Sequence, residues 1–152
     1  MNALKNGLRT FVAPITVVVC LSGIQGFAVD FSEIVKSLRK DAEQGDAEAQ
    51  YVLGLRYKDG VGVPQDDAEA IKWFRLAAEQ GYATTQYILG LCYKNGDGVP
   101  QDDVLAYMWF NLAGASGFEY AKTRRGTVSK KMTSEQIAEA QKLSREWKPK
   151  GQ

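Results

Sequence analysis

Residues 47–82 read AEAQYVLGLRYKDGVGVPQDDAEAIKWFRLAAEQGY, and residues 83–118 read ATTQYILGLCYKNGDGVPQDDVLAYMWFNLAGASGF. Aligned without a gap, 21 of the 36 positions are identical. Self-similarity at this period marks a stacked array, whose units bury their apolar faces only against their neighbours. Such an array presents a broad surface and builds no catalytic pocket of its own, so the repeat constrains function as well as fold.

Each unit reads as two helices. The first, helix A, spans about 47–58, with Tyr51, Leu53, Gly54 and Tyr57 among its packing residues. A glycine inside a helix costs roughly 1 kcal/mol against alanine. Gly54 nevertheless recurs as Gly90, which predicts close approach of the neighbouring helix there. Gly60 and Gly96 suit the left-handed conformation that closes a helix, and Val63-Pro64 forces extended backbone before the next start. Asp66 with Glu69 has capping-box spacing. Helix B then runs to about Gln80, with Ala70, Trp73, Phe74 and Ala77 on one apolar face and Gly81 as its stop.

The flanks read as partial units. Asp30 and Glu33 also have capping-box spacing, and Phe31, Ile34, Val35, Leu38 and Ala42 recur at helical period. Ala42-Glu43-Gln44-Gly45 matches Ala78-Glu79-Gln80-Gly81, so residues 30–46 look like the second helix of an incomplete leading unit within a capping segment, 29–46. Residues 119–152 read as a degenerate third unit. It opens with Glu119-Tyr120-Ala121, gives way to a polar linker over Gly126–Met132, and ends in a capping helix. That last helix starts at the Thr133/Gln136 box, has Ile137, Ala140, Leu143 and Trp147 on one face, and stops at Pro149.

Residues 1–28 have the layout of a secretory signal peptide. Lys5 and Arg9 precede an apolar run from Phe11 to Ile24, and Gly26-Phe27-Ala28 supplies small residues at the cleavage positions. The run is short against the roughly 20 residues a membrane-spanning helix needs. Cleavage after Ala28 predicts a periplasmic or secreted chain, with membrane contact only through an uncleaved leader. The remainder keeps one cysteine, Cys92, which excludes an internal disulfide. The sequence has no histidine, which removes the commonest general base and metal ligand. No cofactor or metal is expected. Ser37-Leu38-Arg39-Lys40 fits a Ser-x-x-Lys pattern but lacks the companion motifs of such a site. Asp66-Asp67 and Asp102-Asp103 can be read as paired carboxylates or calcium ligands, but helix capping explains one member of each pair without chemistry.

The recurring positions are Leu53-Gly54, Tyr57, Gly60, Gly62-Val63, Asp66, Ala70, Trp73-Phe74, Ala77 and Gly81, each repeated 36 residues on. This pattern resembles the Sel1-like repeat, a relative of the tetratricopeptide repeat. The resemblance implies an all-α fold, an α/α superhelix that is a right-handed solenoid of helix-turn-helix units serving as a protein-interaction scaffold. Exported bacterial members act as adaptors or regulators of envelope signalling, or meet host proteins. A cysteine-rich branch is linked to β-lactam binding or hydrolysis; this chain lacks its paired cysteines, and a cell-wall or β-lactam hydrolase is the alternative.

By analogy with tetratricopeptide arrays, helices A line the concave side. The candidate partner-binding residues are then Glu48, Tyr51, Leu55 and Lys58, with Thr84, Tyr87, Leu91 and Lys94 one unit on. Spacing of three to four puts each set on one helical stripe. Tyrosine and leucine interspersed with charge suit a peptide or a partner helix; packing against the next unit is the other reading of the same side chains. Charge is uneven. Residues 29–118 carry 8 basic and 14 acidic side chains, and residues 119–152 carry 9 and 4. No nucleic-acid motif accompanies the basic tail, so the expected partner is a protein or peptide and not nucleic acid.

Overall fold

The computed structural model describes residues 31–150. They form seven helices: α1 (Phe31–Glu43), α2 (Ala47–Asp59), α3 (Asp67–Glu79), α4 (Ala83–Asn95), α5 (Asp103–Ala115), α6 (Glu119–Ser129) and α7 (Ser134–Glu146). No strand occurs among the described residues. The leader and the Asp30 cap lie outside them. Helices α2 and α3 are A and B of the first unit, and α4 and α5 those of the second. Each helix from α1 to α5 packs against the next in sequence, and α7 packs against α5.

The helix starts are set by side-chain caps. Asp46, Asp66 and Asp102 accept the backbone N–H groups of Ala49, Glu69 and Leu105 at 2.6, 2.9 and 2.9 Å. A cap of this kind contributes about 1 kcal/mol. The Asp66 box is only half made: the Asp66 backbone N–H donates to the Tyr57 carbonyl at 2.9 Å, and the Glu69 carboxylate accepts from Lys72 Nζ at 2.6 Å. Thr133 and Gln136 make the full reciprocal box that starts α7. Gly60 and Gly96 close α2 and α4 with φ of 68° and 83°, in the left-handed region.

Within each hairpin, a phenylalanine of helix B fills the notch left by a glycine of helix A. A Cβ built on Gly54 would lie 2.5 Å from the Phe74 ring, and one on Gly90 2.5 Å from the Phe110 ring. Both rings are fully buried. The close approach expected at Gly54 is therefore made by an aromatic side chain. Burying the ring contributes roughly 1.5–3 kcal/mol, which exceeds the roughly 1 kcal/mol propensity cost of the glycine.

Junctions between units repeat with the same period. Gln50 Nε2 donates to the Ala42 carbonyl at 3.0 Å, and Gln86 Nε2 to the Ala78 carbonyl at 3.2 Å. Both glutamines are buried and tie the start of one helix A to the end of the preceding helix B. Arg39 donates to the Tyr57 hydroxyl, and Arg75 to that of Tyr93. The loop after each helix A lies on the start of the previous helix B. A Cβ on Gly62 would meet Val35 Cγ2 at 2.9 Å, and one on Gly98 the Asp67 carbonyl oxygen at 2.8 Å.

The third unit departs from the expected layout. Helix α6 runs through Gly126 to Ser129, where a polar linker was expected to begin at Gly126. Ala121 and Val128, two turns apart, are buried and hold α6 on α5, and Arg125 Nη1 donates to Asn111 Oδ1 at 2.5 Å. Gly126 occupies the place of Gly54 and Gly90, yet a Cβ there would meet nothing within 4 Å. Helix α7 ends at Glu146, three residues before Pro149. Trp147 is extended, with φ −67° and ψ 137°, and its ring lies edge-on to Trp109 at 6.4 Å. Lys150 then bonds the end of α3, from its backbone N–H to the Glu79 carbonyl at 2.7 Å and from Nζ to the Glu79 carboxylate at 2.8 Å.

The filled and empty notches predict opposite responses to one methyl group. Gly90→Ala forces Phe110 to move and should destabilise the chain by about 1–3 kcal/mol. Gly126→Ala should stabilise it by up to about 1 kcal/mol. Thermal unfolding followed by circular dichroism reads both. Equal effects at the two positions would show that the ring contact does not set the hairpin.

Candidate protein-interaction face

Helical spacing puts Glu48, Tyr51, Leu55 and Lys58 on one stripe of α2, and Thr84, Tyr87, Leu91 and Lys94 on the matching stripe of α4. Glu48 and Lys58 are exposed, Tyr51 and Leu55 half-buried; on α4 all four are half-buried. The tyrosines face two ways. The Tyr51 ring centroid is 5.7 Å from that of Tyr82 and 6.5 Å from that of Phe74. The Tyr87 ring is 4.8 Å from Phe118 and 5.7 Å from Phe110. One side of each ring thus packs on the unit junction, and the rest stays accessible. Leu55 and Leu91 likewise lean on the core while remaining half-exposed.

Burial and the nearby Glu48 carboxylate raise the Tyr82 phenol above its ordinary value, which places Glu48, Tyr51 and Tyr82 together at the head of the stripe. At its foot, Lys58 and Lys94 form no ion pair among the described residues. Lys130, the cap residue at the end of α6, stands 36 residues beyond Lys94 and is exposed. The ladder Lys58, Lys94, Lys130 therefore continues onto the third helix A. The sequence reading missed this because it took the chain after Gly126 as linker. It also missed the buried Gln50 and Gln86, although their recurrence at the repeat period was the available signal.

Cys92 is buried, at 3% exposure. Burial pushes its thiol up to about 11, with Asp97 and Asp67 adding to the shift and Lys58 opposing it. A thiol so placed is a poor nucleophile at neutral pH. Ser37 and Lys40 are both exposed to solvent on α1. The carboxylate pairs are divided between tasks: Asp66 and Asp102 cap helices, while Asp67 and Asp103 begin them. A polar groove of about 420 Å³ lies between the starts of α5 and α7, lined by Gln101, Asp102, Asp103, Val104 and Gln136. Among the described residues, no three His, Cys, Asp or Glu side chains are grouped to hold a metal ion, and no helix is long and apolar enough to cross a membrane.

What the face can offer a partner is half-exposed aromatic and aliphatic area between a carboxylate at one end and unpaired ammonium groups at the other. This is the chemistry of polypeptide recognition.

Residues 47–82 and 83–118 each match the family model described as Sel1 repeat. No curated protein matches the chain. Among solved structures, the chain is similar to c5321, a protective antigen present in uropathogenic Escherichia coli strains displaying an SLR fold. The identity is 36% and the TM-score 0.73, over 76% of this chain and 25% of that one. It is also similar to a Sel1 repeat protein from Oxalobacter formigenes, at 34% identity and a TM-score of 0.62, over 63% of this chain and 40% of that one. The chain thus spans a quarter to two-fifths of the length of these two neighbours. Sel1 repeats generally act as scaffolds for protein–protein interaction. Residues 47–118 of this chain are thus two Sel1 repeats, set in a solenoid whose architecture its Sel1-repeat neighbours share.

Proposed function

We propose that this chain is an exported scaffold without catalysis, which binds another protein through the helix A stripes of α2 and α4. The observation that carries the reading is the recurrence, 36 residues apart, of a half-exposed tyrosine, a half-exposed leucine and an unpaired lysine on consecutive A helices. A partner in extended or helical form would lie across both, its apolar side chains on Tyr51, Leu55, Tyr87 and Leu91 and its carboxylates near Lys58 and Lys94. The leader composition of residues 1–28 supports export to the periplasm or beyond, with cleavage after Ala28. An adaptor or regulatory role in envelope signalling, or contact with a host protein, suits such a location. One structural neighbour is described as a protective antigen.

Two measurements test the proposal. The intact mass of the chain recovered from the exported fraction should be that of a protein beginning at Val29; a mass that includes residues 1–28 would contradict cleavage. The partner should then be identified by cross-linking in the native cell and purified. The double substitution Lys58→Glu, Lys94→Glu should weaken its binding about tenfold or more, since like charges across an interface cost several kcal/mol, while helicity stays unchanged. Unaltered affinity would exclude the stripe as the binding face. Turnover of a β-lactam by the purified chain, lost on Ser37→Ala, would replace the scaffold reading with the hydrolase alternative.

A further inference from the structure

The candidate stripe does not stop at α4. An aromatic run leads from it onto α6: the Tyr87 ring is 4.8 Å from that of Phe118, and the Phe118 ring is 6.4 Å from that of Tyr120. Tyr120 ends the run at 76% exposure, more than any other large apolar side chain among the described residues. It stands where Glu48 and Thr84 stand on α2 and α4, and the other stripe positions of the third unit are Thr123, Thr127 and Lys130, all exposed. Charge rises along these three rows. Glu48, Lys58 and Asp59 leave the first row one negative charge; Thr84, Lys94 and Asn95 give the second one positive charge; Tyr120, Lys130 and Lys131 give the third two. Neither Lys130 nor Lys131 forms an ion pair among the described residues. Glu119, the single acid of α6, is taken by Lys122 at 2.6 Å.

We propose that the binding face extends onto α6 and that its occupant is an acidic segment of a partner protein, with carboxylates on Lys58, Lys94, Lys130 and Lys131 and an apolar side chain on Tyr120. This rests on the α2–α4 stripe as the binding face; the third row, the sign of the partner's charge and its direction are new. Positive charge accumulates towards α6, so a carboxylate gains most Coulomb energy there. The more acidic end of the segment therefore lies over Lys130 and Lys131, and its less charged end over α2, where Glu48 and Asp59 oppose further acids. Tyr120 offers the partner a large, rigid and amphipathic contact, the kind of residue that dominates protein interfaces. An anionic bilayer suits the third row alone. The negative first row repels it, and Tyr51, Leu55, Tyr87 and Leu91 are half-buried, within reach of a polypeptide side chain and less so of a flat surface.

The test uses the full chain and two labelled synthetic peptides, read by fluorescence anisotropy. One is rich in glutamate with interspersed leucine, its glutamates clustered towards one end; the other has glutamine in place of every glutamate. The acidic peptide should bind about tenfold more tightly, and the gap should close as salt is raised. Lys130→Glu with Lys131→Glu should weaken its binding about tenfold, and Tyr120→Ala about fivefold or more, with helicity unchanged. Arg145→Glu with Lys148→Glu alters the net charge equally on the α7 side and should leave binding as it was. A spin label at the glutamate-rich end should broaden the amide signals of α6 more than those of α2. The inference is overturned if the two peptides bind alike, if the α7 pair weakens binding as much as the α6 pair, or if the label broadens α2 more. Binding lost with Lys58→Glu, Lys94→Glu but kept with Lys130→Glu, Lys131→Glu would overturn the third row and leave the α2–α4 stripe standing. Sedimentation with phosphatidylglycerol vesicles that Lys130→Glu, Lys131→Glu abolishes, while peptide binding persists, would overturn it too, by assigning α6 to a bilayer.

Discussion

A phenylalanine ring seated on a bare glycine backbone holds each hairpin of this solenoid together. Phe74 on Gly54 and Phe110 on Gly90 are the same contact made twice. It brings helix A and helix B closer than side-chain-bearing faces allow, and it sets the depth to which the flanking alanines interlock. Ala70, Ala77 and Ala78 in the first unit, and Ala106 and Ala113 in the second, are all fully buried or nearly so. A close-packed interior of this kind responds to a change of one methyl group. The junction bonds from Gln50 and Gln86 then fix how one hairpin sits on the next.

An array held by nearest-neighbour contacts has to end somewhere, and the two ends are handled differently. At the C-terminus the notch glycine persists as Gly126 with no ring to fill it. Helix α7 lies across α5 instead, and the tail clips onto α3 through Trp147 and Lys150. The buried leucine of the complete units, Leu53 and Leu89, has become Arg125, which pairs with Asn111 and lies over the Tyr107 ring. These changes turn a stacking surface into a solvated one. At the start of the described residues, Phe31 and Ile34 of α1 and Val61 of the loop after α2 are exposed.

The hairpins were legible because their determinants are local and written twice. The Asp66 and Asp102 caps, the left-handed Gly60 and Gly96, and the Trp73-Phe74 pair each occupy a fixed register that the second copy repeats. The third unit was misread where tertiary contacts override propensity. Gly126 and the polar residues around it suggested a linker, and only the burial of Ala121 and Val128 on α5 makes them helical. The Glu69 half of the capping box failed for a similar reason, since the Asp66 backbone N–H is taken by the Tyr57 carbonyl of the preceding helix. The candidate stripe was legible as spacing, but its energetic character was not. That each tyrosine divides between the junction and solvent depends on Tyr82 and Phe118, which begin the following helices.

The binding reading and the architecture meet in one requirement: stability must be greatest in the middle of the array and fall towards both ends, leaving the edges free to engage partners. Native-state hydrogen exchange measures this directly, since local opening free energies report how many neighbours each helix has. The account predicts the slowest exchange in α3, α4 and α5, which are covered on both sides, and faster exchange in α1 and in the outer turns of α6. Protection that is uniform from α1 to α7, or highest in α1, would contradict a fold built from stacked glycine–phenylalanine hairpins.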